Sequence, residues 1–66
     1  MTNSVKSERC LKGLTQAELA EKVNVSRQTI ISIESGKYLP SIVLAIKISK
    51  VLKKKVEELF EIENSD

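Results

Sequence analysis

Between Gln16 and Ser35 the chain reads QAELAEKVNVSRQTIISIES. Leu19, Ala20 and Val23 recur at helical spacing, and so do Ile30 and Ile33. Between these two stripes stands Asn24, flanked by Val23 and Val25. Left-handed backbone is costly for most residues and least so for Gly and Asn. A tight turn at Asn24 therefore joins two short helices, and Ala20 is small where they cross. Leu19, Val23, Val25, Ile30 and Ile33 hold the pair at a steep angle. So many positions agreeing over so short a stretch leave few ways to fold it.

That arrangement is a helix-turn-helix. Its boundaries are marked by polar residues. Thr15 opens the first of the two helices with Glu18 three residues on, the pattern of a capping box. Ser26 caps the second, which runs from about 27 to 34, and Gly36 closes it. Three further helices are expected around the pair. One covers about 4–12, capped by Asn3 or Ser4 and stopped by Gly13. Ser41, after Pro40, caps another over about 42–52, with Leu44, Ala45, Ile48 and Leu52 as its buried stripe. A short helix over about 56–60 returns Leu59 and Phe60 to the core, and the tail is extended or frayed. No segment alternates convincingly with period two. The expectation is an all-α, compact five-helix bundle forming one domain over residues 1–66, with its core in 4–60.

With 66 residues, such a bundle has a modest core and needs close helix packing, a metal, a disulfide or a partner. There is no His and one Cys, so neither a metal constellation nor an internal disulfide is expected. Cys10 is read as a packing cysteine rather than a reactive thiol. No cofactor or small-molecule site is evident. Catalysis has no footing either: there are no paired carboxylates in an evident cleft and no phosphate-binding Gly loop. The N-terminus lacks the apolar run of a signal peptide, and the longest apolar run, Ile42 to Ile46, is too short to span a bilayer. A cytoplasmic location is the expectation. Charge is uneven: residues 1–55 hold all 11 Lys and Arg and four acids, a net +7, whereas residues 56–66 carry a net −5. A basic body with an acidic end suggests a face for phosphate.

The segments LTQAELAEKV (14–23), VSRQTI (25–30), IE (33–34), GKYLPS (36–41), LAIKI (44–48) and VEELF (56–60) together resemble the Xre/Cro/C1-type helix-turn-helix regulators, which include the lambda-like phage repressors. The likeness covers about residues 4–60. It implies a sequence-specific regulator of transcription that binds double-stranded DNA, most often as a repressor, with the second helix of the motif in the major groove. Ser26, Arg27, Gln28 and Ser32 are then the base-reading residues. The chemistry suits them, since Arg pairs bidentately with guanine O6 and N7, and Gln with adenine N6 and N7. The resemblance assigns Gln16, Ser35 and Lys37 to backbone phosphate, where the start of the second helix adds partial positive charge. Thr15 is first a cap and second a phosphate contact. Tyr38 either gives its hydroxyl to a phosphate or packs its ring over the fourth helix. Arg9 and Glu34 match a partly buried salt bridge in lambda-like repressors.

The sequence also departs from that pattern. Glu8 stands where many relatives are apolar. Lys53, Lys54 and Lys55 replace a common Gly-Val-Ser, losing a helix stop and a cap, and read as a solvated loop with a strained or differently shaped turn. Val43 stands where relatives are often polar; with Ile46, Phe60 and Ile62 it forms an exposed apolar strip, the mark of an interface. The resulting expectation is a homodimer on a twofold-related operator. The competing class is a protein-interaction module, such as an antitoxin or anti-regulator built on the same fold, which would tolerate loss of Arg27 and Gln28.

Overall fold

The computed structural model describes residues 2–61. Five helices follow one another: α1 (Val5–Leu11), α2 (Gln16–Lys22), α3 (Arg27–Glu34), α4 (Ile42–Leu52) and α5 (Val56–Leu59). Three of their starts are set by hydroxyl caps. Thr15 Oγ1 accepts from Glu18 N at 3.0 Å while Glu18 Oε1 accepts from Thr15 N at 2.8 Å, closing the capping box. Ser26 Oγ accepts from Thr29 N, and Ser41 Oγ from Leu44 N, both at 3.2 Å. Each cap satisfies a backbone donor that the helix cannot, worth about 1 kcal/mol.

Positive φ marks the stops. Gly13 (71°) ends α1, Asn24 (60°) makes the α2–α3 elbow, and Gly36 (79°) follows α3. Lys53 also adopts φ 57°, at the end of α4. Where the resemblance implies a glycine, a lysine takes the left-handed conformation that closes α4. The missing serine cap of α5 is partly replaced by Glu58, whose Oε1 accepts from Lys55 N at 2.9 Å.

The core gathers one stripe from every helix. Val5, Leu19, Ala20, Val23, Ile30, Ile33, Leu44, Ile48, Leu52 and Leu59 are buried together, with Leu14, Val25, Val51 and Phe60 packed against them. The most extensive packing is α2 on α3, where Ala20 is 3 % exposed at the crossing and its carbonyl accepts from Val25 N at 3.0 Å. The elbow is therefore rigid at both the backbone and side-chain level.

Three features differ from the sequence reading. The first helix spans Val5–Leu11, shorter than 4–12, because Ser4 and Lys12 stand at its caps. Asn3 supplies the side-chain acceptor for Val5 N, at 3.2 Å, whereas Ser4, at the cap position, donates its hydroxyl to Glu58 O at 3.3 Å. Phe60 leaves α5 and enters a two-stranded antiparallel ribbon, β1 (Thr2–Asn3) on β2 (Phe60–Glu61), with Thr2 opposite Glu61 and Asn3 opposite Phe60. Ser4 N donates to Leu59 O at 2.9 Å beside it. Cys10 is exposed, not packed, because the inner face of α1 is built by Val5 and Arg9. Among the described residues no helix is long and apolar enough to cross a membrane.

Candidate nucleic-acid interface

Ile30 and Ile33 anchor α3 from below with no exposed surface. At 3.6 residues per turn, that burial turns Arg27 and Gln28 to solvent and leaves Ser32 half-buried one turn beyond Gln28. Ser26 is exposed, but its hydroxyl is already engaged: it caps Thr29 N and shares a 2.9 Å hydrogen bond with Thr29 Oγ1. The long donors on this face are thus Arg27 and Gln28, presented by a helix fixed through the Asn24 elbow.

The two flanks of α3 differ. On the α2 side, Arg27 lines an open cleft with Thr15, Gln16 and Ala17. On the other side, Gln28, Thr29 and Ser32 share a shallow hollow with Tyr38. Tyr38 is 46 % exposed, and its backbone N–H donates to Ser32 O at 3.2 Å. Ser35 and Lys37 are exposed just past the helix, where Ser35 Oγ donates to Ser32 O at 3.0 Å. Thr15 closes the capping box, its Oγ1 accepting from Glu18 N. That box holds the Glu18 carboxyl below the ordinary glutamate range, first through the Thr15 backbone N–H and then through its hydroxyl.

Behind the cleft lies a charged network. Arg9 Nε donates to Glu34 Oε2 at 2.7 Å and Arg9 Nη2 to Glu34 Oε1 at 3.3 Å. Arg9 Nη1 donates to Leu14 O at 2.7 Å, and Gln16 Nε2 to Glu34 Oε1 at 3.1 Å. The side chains of Arg9 and Glu34 are only 9 % and 4 % exposed. The hydrogen bond to Glu34 raises the Arg9 pKa, against the opposing effect of desolvation. One carboxylate thereby ties the end of α3 to α1 and to the start of α2.

A second surface lies away from α3. Leu39, Ile42, Ile46, Val56 and Phe60 line an apolar groove of about 540 Å³, with Glu57 at its rim. Ile42 is 80 % exposed, and Val43, beside the groove on the same helix, is 64 % exposed. Of the strip expected from sequence, Ile46 and Phe60 line the groove, Val43 faces the neighbouring hollow toward Lys47, and Ile62 lies outside the described residues. Leu39, Ile42 and Val56 were not singled out. In a run such as IVLAI every face is apolar, so the exposed stripe of α4 cannot be separated from the buried one by pattern alone.

A family model for the helix-turn-helix matches residues 5–59. The chain belongs to the helix-turn-helix family of transcriptional regulators. This regulator is 52 % identical to the uncharacterized HTH-type transcriptional regulator MJ0272 of Methanocaldococcus jannaschii, across the full length of both chains. It is 44 % identical, again over both full lengths, to the uncharacterized HTH-type transcriptional regulator YgzD of Bacillus subtilis. Among solved structures it resembles the restriction-modification controller protein C.AhdI from Aeromonas hydrophila, with a TM-score of 0.77, 30 % identity and 85 % of each chain covered. The clp gene regulator ClgR from Corynebacterium glutamicum follows at 0.76 and 32 % identity, covering 80 % of this chain and 56 % of that one. The regulator is accordingly a DNA-binding protein of the Xre/Cro/C1 type and not an enzyme.

Proposed function

We propose that this regulator is a cytoplasmic, sequence-specific repressor that binds twofold-related operators as a homodimer, with α3 in the major groove. Arg27 and Gln28 read base edges, with Ser26 and Ser32 in shorter-range support. Gln16, Ser35, Lys37 and Tyr38, with Thr15 at the cap, meet the flanking phosphates. The observation that carries this reading is the pairing of exposed Arg27 and Gln28 with wholly buried Ile30 and Ile33 on one short helix. A helix merely solvated on its outer face does not need a left-handed elbow and a buried ion pair to fix its aim.

The apolar groove supports the dimer. Val43, Ile46 and Phe60, joined by Leu39, Ile42 and Val56, supply the contact, and Ile62 is proposed to extend it. The chain measures 32 × 21 × 20 Å. Two copies set end to end along the 32 Å axis have a spacing close to one DNA turn, about 34 Å. Selection from random duplexes, combined with salt titration, tests the proposal. The expected result is a pair of inverted half-sites and a salt slope close to one unit per phosphate neutralised. Equal affinity for all duplexes at near-physiological salt refutes it.

A further inference from the structure

Gln16 is the odd member of the buried network. Arg9 alone neutralises Glu34, and Gln16 adds no charge. It sits half-buried at the first position of α2, lining the same open cleft as Arg27. Its Nε2 nevertheless donates to Glu34 Oε1 at 3.1 Å, across to the last residue of α3.

An ionised carboxylate only accepts hydrogen bonds. Glu34 therefore dictates which way the Gln16 amide faces: the NH2 group must turn toward it, and the amide cannot flip. One hydrogen of that group is engaged. Among the described residues, the second hydrogen on the same nitrogen has no protein partner. A phosphate oxygen is likewise only an acceptor, so the donor it needs is already turned to the right end of the side chain. Because Arg9 cancels the charge on Glu34, the carboxylate can orient the amide without repelling an approaching phosphate.

The geometry points to Glu34 as a positioning residue for the DNA backbone, one that holds the Gln16 amide ready to donate to a phosphate in the cleft beside Arg27. This rests on the proposed seating of α3 in the groove. Without Glu34, the glutamine side chain would have to be ordered when DNA binds, a cost equivalent to about tenfold in affinity.

The test is a double-mutant cycle on the full chain, using Gln16→Ala, Glu34→Gln and the pair. Binding is titrated against a short mixed-sequence duplex at low salt and against the best duplex recovered by selection, with thermal unfolding of each variant alongside. Each single change is expected to weaken both duplexes about tenfold. The double variant should bind no more weakly than either single one, although the Glu34 variants, which also break the Arg9 pair, melt well below Gln16→Ala. Losses that multiply overturn the positioning role and leave the proposed function standing. Failure of the unaltered protein to bind any duplex overturns both. Gln16→Asn keeps the Arg9–Glu34 pair and guards against misfolding. Its amide is one methylene too short to span to Glu34, so it should bind as weakly as Gln16→Ala, and unaltered affinity would overturn the inference.

Discussion

Replacing Arg9 by Met is the most severe single test of what holds this fold together. The substitution keeps an unbranched stem and removes the charge. Glu34, 4 % exposed at its side chain, would lose both Arg9 hydrogen bonds and keep only the one from Gln16. Leu14 O would lose its 2.7 Å donor as well. Breaking a buried pair by removing one partner costs about 3–5 kcal/mol, and an orphaned carbonyl adds about 1 kcal/mol. A chain of 66 residues, at about 0.05–0.15 kcal/mol per residue, has in total about 3–10 kcal/mol to lose. Arg9→Met is therefore expected to sit at the edge of unfolding at room temperature. Urea denaturation followed by circular dichroism, extrapolated linearly to water, gives the number. The double variant Arg9→Met with Glu34→Leu should recover most of the loss, because it removes both desolvated charges and fills the site with apolar volume. A single-variant loss below about 1 kcal/mol, or a double variant weaker than the single one, would show that the pair is effectively solvated and refute the reasoning.

Lys53→Gly should stabilise the protein by roughly 0.5–1 kcal/mol by relieving left-handed strain, raising the melting midpoint by a few degrees, whereas Lys53→Ala should give no such gain. Arg27→Ala should cost about 1–3 kcal/mol of specific DNA affinity and relax preference at one base pair; Lys37→Ala should weaken all sequences alike and lower the salt slope by about one unit, both read by titration on selected and mixed duplexes. Ile42→Glu should drive the proposed dimer toward monomer in sedimentation, and a dimer that persists would move the interface elsewhere. The Glu18 carboxyl, held low by Thr15, stabilises the fold at pH values above the ordinary glutamate range. That contribution is lost as pH falls through the lowered value, so NMR should place its titration below 4.5, and Thr15→Ala, which keeps the backbone donor and removes only the hydroxyl, should reverse the smaller part of the shift.

The parts of the fold legible in sequence are those with a local cause. Thr15, Ser26 and Ser41 announce the starts of α2, α3 and α4 because a cap needs only the three residues that follow it. Asn24 announces the elbow because few side chains tolerate its φ. The exposed face of α3 follows from the burial of Ile30 and Ile33 by simple periodicity. What was not legible depends on distant partners. Two-residue strands carry no period, so the ribbon of Thr2–Asn3 with Phe60–Glu61 left no pattern to find. Asn3 reads as a cap, yet its Nδ2 also donates to Ile33 O at 2.8 Å, which no local signal indicates. Gln16 reads as a surface donor; its commitment to Glu34 appears only when α2 and α3 are folded together. Lys53 shows the reverse case, where the chain path overrules local preference and a residue that resists left-handed backbone is made to adopt it.

The ribbon has a kinetic side. It brings residues 2 and 61 together, a loop closure that would cost an unfolded chain about 3–4 kcal/mol of entropy. Neighbouring helices pack at far smaller separations, so the closure comes late. Asn3 reaches the carbonyl of Ile33 in the same step. A nascent chain that has passed α4 but not β2 thus carries its elbow and α3 without the strap that secures the final turn, and amide exchange at the ribbon should outpace that of α2 and α3.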